Sequence, residues 1–289
     1  MQRFSPVSGA RLRLVPSPSR FPSLAGLVLC LAAALPARAQ IPDSAARHDS
    51  LAAAARRDVH ANAHVIRWYE VVAVVGGVAA VSALDEPVQR WRQDHRSDTS
   101  DDIAAVFRRG GEPLVYATVS LGTLGAGVVL NDPDVQRAGG RLVTSVALSA
   151  VISETLKRVA GRSRPNEGVG AFRFHPFTSL DDSAGMSTRS SLPSGHTTAA
   201  FAVATSLAED FHNPYVSAIL YTLAGGTAFS RVNDNRHWLS DTVLGAALGV
   251  TSAKLVSGHW RIFGLRPPHF LVTPTGATTL SWGATFRIR

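Results

Sequence analysis

Leu192-Pro193-Ser194-Gly195-His196-Thr197 is a loop that reads directly into an apolar helix. Pro193 and Gly195 bar a regular helix before this point, and the breaker-free run 197–207 (TTAAFAVATSL) carries it onward. A loop that presents free backbone N–H groups at a helix N-terminus is a ready anion site. Ser194 adds a hydroxyl, Gly195 admits a ligand close to the backbone, and His196 can carry a proton near neutral pH. Alone, Pro-Ser-Gly-His reads equally well as a helix cap, and its neighbours decide.

Upstream, Lys157 and Arg164 stand seven residues apart, nearly two helical turns, so both can point the same way where an apolar block ends at Gly161 and Pro165. The plain alternative is a basic helix end favoured by the helix dipole, and Arg158 and Arg162 are read that way. Downstream, Ser230-Arg231 is followed by His237 and Asp241. The last two are at i, i+4, which places a carboxylate one turn behind an imidazole, where it can fix the tautomer and stabilise the imidazolium. For an isolated pair a surface contact is the commoner outcome. The three blocks occurring together reverse that balance.

In order, the blocks read K-x6-R-P, P-S-G-H and S-R-x5-H-x3-D. This resembles the full signature of the type 2 phosphatidic acid phosphatase (PAP2) superfamily, which also holds bacterial class A acid phosphatases and vanadium haloperoxidases. The resemblance covers about residues 114–256, and no signature position is missing. It implies that His237 is a nucleophile taking the phosphoryl group as phosphohistidine and that Asp241 orients it. It implies that His196 protonates the leaving oxygen and later activates water. Lys157, Arg164 and Arg231, with the Ser194 hydroxyl and the Gly195 N–H, would hold the equatorial oxygens. Phosphoryl transfer asks mainly for positioning and charge stabilisation, so no metal and no cofactor is expected. Vanadate would enter only if the chain were a haloperoxidase, which is one alternative. A non-catalytic envelope protein keeping the fold is the other. The expected activity is a metal-independent phosphatase acting on phosphomonoesters or pyrophosphates, above all those of lipids.

The elements that must position these residues are helical. Six apolar blocks, 65–84, 114–130, 142–156, 197–207, 215–229 and 239–256, show no period-two alternation. Breaker-rich separators divide them, among them Asp85-Glu86-Pro87, Asn131-Asp132-Pro133 and Asn213-Pro214, and residues 102–109 fit a short amphipathic helix. The expectation is an all-α, six-helix bundle over 65–258. Blocks of this length approach the ~20 residues that span a bilayer, yet Gly, Ala, Ser and Thr dilute them, which suits tight helix packing in lipid and in water alike. A membrane partner is expected, while the span and the side on which the site lies stay open. Between the first two signature blocks, Phe172, Phe174 and Phe177 read either as a lipid-facing lip or as loop packing.

The flanks read differently. Residues 1–39 join a basic region, an apolar run 24–35 and Ala37-Arg38-Ala39, the pattern of a cleaved secretory signal peptide. Cys30, within it, is the only cysteine, so no disulfide and no thiolate site is expected in the exported chain. Of the formal net charge of +8, five charges are arginines within 1–39, leaving +3, which gives no case for nucleic-acid binding. Residues 40–64 form an Ala-rich polar linker. His60 and His64 within it have helical metal-ligand spacing but no accompanying HExxH carboxylate, and read as a solvated face. In 259–289, Phe270-Leu271-Val272, a Pro274-Thr275-Gly276 turn and the alternation Leu280, Trp282, Ala284, Phe286, Ile288 predict a β-hairpin. N-terminal sequencing of the exported protein is expected to read Gln40 first, and an uncut chain still carrying Cys30 would overturn the signal-peptide reading.

Overall fold

The computed structural model describes residues 63–177, 188–262, 269–272 and 278–281. The expected signal peptide, His60, most of the expected linker, the expected hairpin turn and Trp282 onward lie outside the described residues. Within them the chain is helical: α1 (Trp68–Ser82), α2 (Asp85–Asp94), α3 (Asp98–Gly110), α4 (Pro113–Val129), α5 (Pro133–Ala160), α6 (Gly195–Phe211), α7 (Pro214–Asn233) and α8 (Leu239–Val256). Two small sheets accompany them. β1 (His64–Ile66) pairs in parallel with β2 (Trp260–Ile262), and β3 (His269–Val272) pairs antiparallel with β4 (Thr278–Ser281), with Phe270 opposite Leu280. The antiparallel pair is the expected hairpin. The parallel pair was not anticipated.

Two of the separators are helix starts. Asp132 Oδ1 accepts from the N–H groups of Asp134 (2.9 Å) and Val135 (3.2 Å), with Pro133 at the first helical position. Asn213 caps α7 in the same way ahead of Pro214. Both pairs satisfy orphan donors at a helix N-terminus, where proline costs no hydrogen bond. Asp85-Glu86-Pro87, expected to be a break, opens α2, since acidic residues and proline are tolerated in a first turn. The third apolar block extends to a helix of 28 residues. It stops at Gly161, whose left-handed φ of 57° is strained for any residue with a Cβ. That stop releases the chain just after Lys157, so that Arg162 and Arg164 leave the helix.

α6 lies at the centre, packed by α8, α7 and α5, with α4 against α5. Tyr116, Leu142, Ala200, Val203, Ala204, Leu207 and Ala224 form the buried apolar cluster. Around them the interior is small and polar: Ser145, Ser149, Ser153, Thr197, Thr198, Thr205 and Ser206 are all buried. α8 reaches α6 through glycine. A Cβ on Gly249 would lie 2.3 Å from the Thr198 carbonyl oxygen, and one on Gly245 would lie 2.8 Å from that of Ser194.

Large parts of the described exterior are apolar. α1 buries none of its residues, and Val71, Val72 and Val75 on α1, Leu121, Val128 and Val129 on α4, and Tyr215 and Ile219 on α7 are exposed. By length and composition α8 alone among the described residues could cross a membrane, or up to three spans exist if the bent pairs α1–α2 (45°) and α3–α4 (41°) each count as one.

Gly249→Ala is expected to cost about 1–3 kcal/mol, because a backbone oxygen cannot move aside, and to lower the thermal midpoint in detergent. Gly76→Ala, whose added methyl meets nothing within 4 Å, is the control and should not lower it. Equal midpoints for the two variants would contradict the glycine-mediated crossing.

Candidate active site

The last turn of α5 presents Lys157, its Nζ 2.5 Å from Glu154 Oε1. A Cβ on Gly195 would meet that same Nζ at 3.1 Å, so the ammonium stands against the first residue of α6. Ser194, fully buried, is the residue before the helix. Its hydroxyl makes no cap hydrogen bond and instead accepts from Thr197 Oγ1 at 3.0 Å. The Ser194 N–H donates to the Asp241 carbonyl at 3.0 Å, which stitches the loop to α8.

Arg164 and Arg231 come from the α5 exit and the end of α7. Arg164 Nη2 donates to Ser190 Oγ at 3.0 Å, and Arg231 Nη1 stands 4.0 Å from Asp234 Oδ2. The Nε of each is buried without a hydrogen-bond partner among the described residues. With His196 they line a cavity of about 650 Å³ whose wall also carries Arg96, Arg108, Arg236, Glu112 and Asp234. Burial holds both guanidinium pKa values below the usual arginine range, and neighbouring guanidinium groups push the same way. Unused donors and repelling cations around one cavity call for an anion.

His196 is pushed down to about 4, first by burial and then by the charges of Arg231, His237, Lys157 and Arg164. The three sequence blocks therefore converge on this one ring. His237 is 4% exposed, and burial holds it too below the ordinary histidine value, against the pull of Asp241.

The partner that fixes His237 differs from the expectation. His237 Nδ1 lies 2.7 Å from the Ser191 carbonyl oxygen but 3.7 Å from Asp241 Oδ2. A carbonyl only accepts, so Nδ1 carries the proton and donates it, leaving the Nε2 lone pair bare. Asp241 acts on the ring as a charge and as an anchor for its surroundings. Its Oδ2 accepts from Ser191 Oγ (2.5 Å) and from the Trp238 N–H (2.8 Å), and its Oδ1 accepts from Arg162 Nη1 (2.7 Å).

Arg162 corrects a second expectation. Read as a basic helix end, it is instead 2% exposed, with Nη2 donating to Asp85 Oδ2 at 2.7 Å and Nε to the Ala171 carbonyl at 2.8 Å. Its guanidinium also lies over the rings of Phe174 (5.5 Å) and Trp238 (5.7 Å). Phe174 thus packs one face on Arg162 while remaining 41% exposed, and Phe172 and Phe177 are more exposed still. Asp85 and Ser191 were missed as well. The only signal for Asp85 was an acid at the edge of an apolar block. His64, the described member of the early histidine pair, bonds to Glu70 at 2.9 Å.

An oxyanion in the cavity should turn repulsion at His196 into attraction and raise its pKa. Sulfate binding at pH 5.5, where free His196 is neutral, is therefore expected to take up a proton. Calorimetry in buffers of different ionisation enthalpy checks this: the uptake should be present in the wild type and reduced in His196→Ala, and identical slopes would contradict it.

Residues 138–262 match the family model for the PAP2 superfamily. A lipid A 1-phosphatase of Porphyromonas gingivalis is 44% identical over 72 residues, covering 24% of this chain and 16% of that protein. A lipid A 1-phosphatase of Rhizobium etli is 34% identical over 113 residues, covering 38% of this chain and 45% of that protein. The chain thus matches less than half the length of either curated relative. Among solved structures, Aquifex aeolicus LpxE is similar with a TM-score of 0.46 and 21% identity, over 60% of this chain and 94% of that one. A transmembrane PAP2-type phosphatidylglycerolphosphate phosphatase from Bacillus subtilis is similar with a TM-score of 0.46 and 20% identity, over 66% and 95%.

Proposed function

We propose, since residues 138–262 match the PAP2 superfamily model, that the chain is a phosphatase that removes a phosphoryl group from a phosphorylated lipid through a phosphohistidine on His237. The observation that supports this reading best is the Ser191 carbonyl 2.7 Å from His237 Nδ1, which frees Nε2 to act as the nucleophile on a ring that feels the charges of Arg164 and Arg231. Nε2 attacks phosphorus as the bond to the leaving oxygen breaks, and that oxygen takes a proton from His196. Water then attacks phosphorus as its bond to His237 Nε2 breaks, giving a proton to His196. Orthophosphate leaves and His237 is regenerated.

The remaining groups suit the charge that develops. Lys157, Arg164 and Arg231 with the start of α6 supply fixed positive potential, each well-aimed donor worth ~10²–10³ in rate, so the chemistry needs no metal. An incoming dianion raises the pKa of His196 and so charges the acid only when substrate is present. A lipid substrate is supported by the apolar exteriors of α1, α4 and α7 and by the names of the two curated relatives. These names give no support to a haloperoxidase. We place the protein in the bacterial cell envelope, associated with the membrane, after export by the signal peptide.

His237→Ala is expected to abolish turnover of every substrate and to leave no phosphoenzyme to trap. His196→Ala should lose ~10²–10⁴-fold on an alkyl phosphate but much less on p-nitrophenyl phosphate, whose leaving group departs without a proton. Vanadate should inhibit and EDTA should not. Equal loss of His196→Ala on both leaving groups, or activity that EDTA removes and a divalent cation restores, would overturn the mechanism.

A further inference from the structure

α2 belongs to the stretch before residue 138, outside the segment matched by the family model. It nevertheless runs against the connection between α7 and α8 that carries His237. Arg92 donates through Nε (2.9 Å) and Nη2 (2.6 Å) to Asn233 Oδ1, and Gln89 donates to Asn235 Oδ1 at 3.0 Å. At the start of the same helix, Asp85 is 1% exposed; its Oδ1 accepts from the Ser240 N–H (2.8 Å), and its Oδ2 from Ser240 Oγ (2.6 Å) and Arg162 (2.7 Å).

We propose that Asp85 is a positioning residue for His237: it holds Arg162 against Asp241, and Arg162 and Asp241 together hold the Ser191 carbonyl that orients the ring. Arg162 does this twice over. Its side chain binds the Asp241 carboxylate that anchors the Ser191 hydroxyl, and its backbone carbonyl accepts from the Ser191 N–H at 3.0 Å. Without Asp85, one arm of the guanidinium would be left buried and unpaired. The fork would then be free to turn away from Asp241, carrying the Ser191 loop with it.

Charge gives a second consequence. The groups that act on His237 are Asp241 from α8, Arg164 from the α5 exit, Arg231 from α7 and His196 from α6. Behind Asp241 stand Arg162 and Asp85, so the buried trio carries one net negative charge. Removing the Asp85 charge leaves it neutral and takes away part of what stabilises a His237 imidazolium. The pKa of His237 then falls.

This inference rests on the phosphatase reading for its kinetics but not for its titration. In Asp85→Asn, kcat should fall by about 10²-fold with KM within about threefold, the signature of a displaced attacking group rather than lost binding. The acid limb of kcat/KM should move to lower pH. Nitrogen-15 histidine NMR on the full chain in detergent should show the His237 titration moving the same way with no substrate present. If the wild type hydrolyses no phosphoester, the phosphatase reading fails while the NMR shift still tests the role of Asp85. Loss of activity only in proportion to loss of folded protein, with the His237 titration unmoved, would overturn the proposal. Ser240→Ala keeps every charge and serves if Asp85→Asn does not fold. It should lower kcat with KM and the titration unchanged, and a wild-type kcat in that variant would likewise count against the role.

Discussion

Asp85, Arg162 and Asp241 form a dry ion trio on which the site depends. A guanidinium 2% exposed lies between carboxylates 1% and 0% exposed, each 2.7 Å away. Taking such charges out of water costs several kcal/mol per ion and is offset only where every lone pair and proton is engaged. Here the engagement is thorough. Ser240, Ser191 and the Trp238 N–H take up the carboxylate oxygens, the Ala171 carbonyl takes Arg162 Nε, and two aromatic rings face the guanidinium. Removing one partner of such a set costs about 3–5 kcal/mol, because it strands the others. The trio also joins α2, the α5 exit and the start of α8, three of the places where the backbone leaves or enters a helix beside the site.

The contrast with the neighbouring cations is the functional point. Arg162 is fully paired, whereas Arg164 and Arg231 each keep a buried Nε without a partner among the described residues. Two arginines of one short run, Arg162-Ser163-Arg164, thus do opposite work. One is neutralised to hold the frame rigid, and the other keeps unmet hydrogen-bonding capacity beside the cavity. A preorganised frame matters because donors already in place need not reorganise as charge develops.

The surroundings invert the usual arrangement of a water-soluble bundle. Apart from Tyr116, Leu142, Val203 and Leu207, the centre around α6 is built largely from Ser, Thr, Ala and Gly, and large apolar side chains are exposed on α1, α4 and α7. Small residues let helix backbones approach closely, and the gain there is van der Waals contact and hydrogen bonding rather than removal of apolar surface from water. The Gly249–Thr198 approach is of this kind. It fixes α8 against α6, and so holds Asp241 beside the Ser194 loop.

The sequence by itself determined the local terms. Apolar runs placed the helices, and Pro193, Gly195 and Gly161 marked where helices begin or stop. The order and spacing of Lys157, Arg164, Ser194, His196, Arg231 and His237 carried the resemblance from which the chemistry is expected, because within each block the residues lie inside a turn or two or a single loop. Alternation anticipated the strands around Phe270 and Leu280. What lay beyond reach was every decision made by residues distant along the chain. The i, i+4 spacing brought Asp241 near His237, but only the fold put the Ser191 carbonyl closer to the ring. Asp85 read as part of a break and Arg162 as a basic helix end favoured by the helix dipole, since neither residue has its partner of opposite charge nearby in sequence. Only tertiary packing, which brings Asp85 and Asp241 to opposite arms of one guanidinium, makes burial of all three affordable.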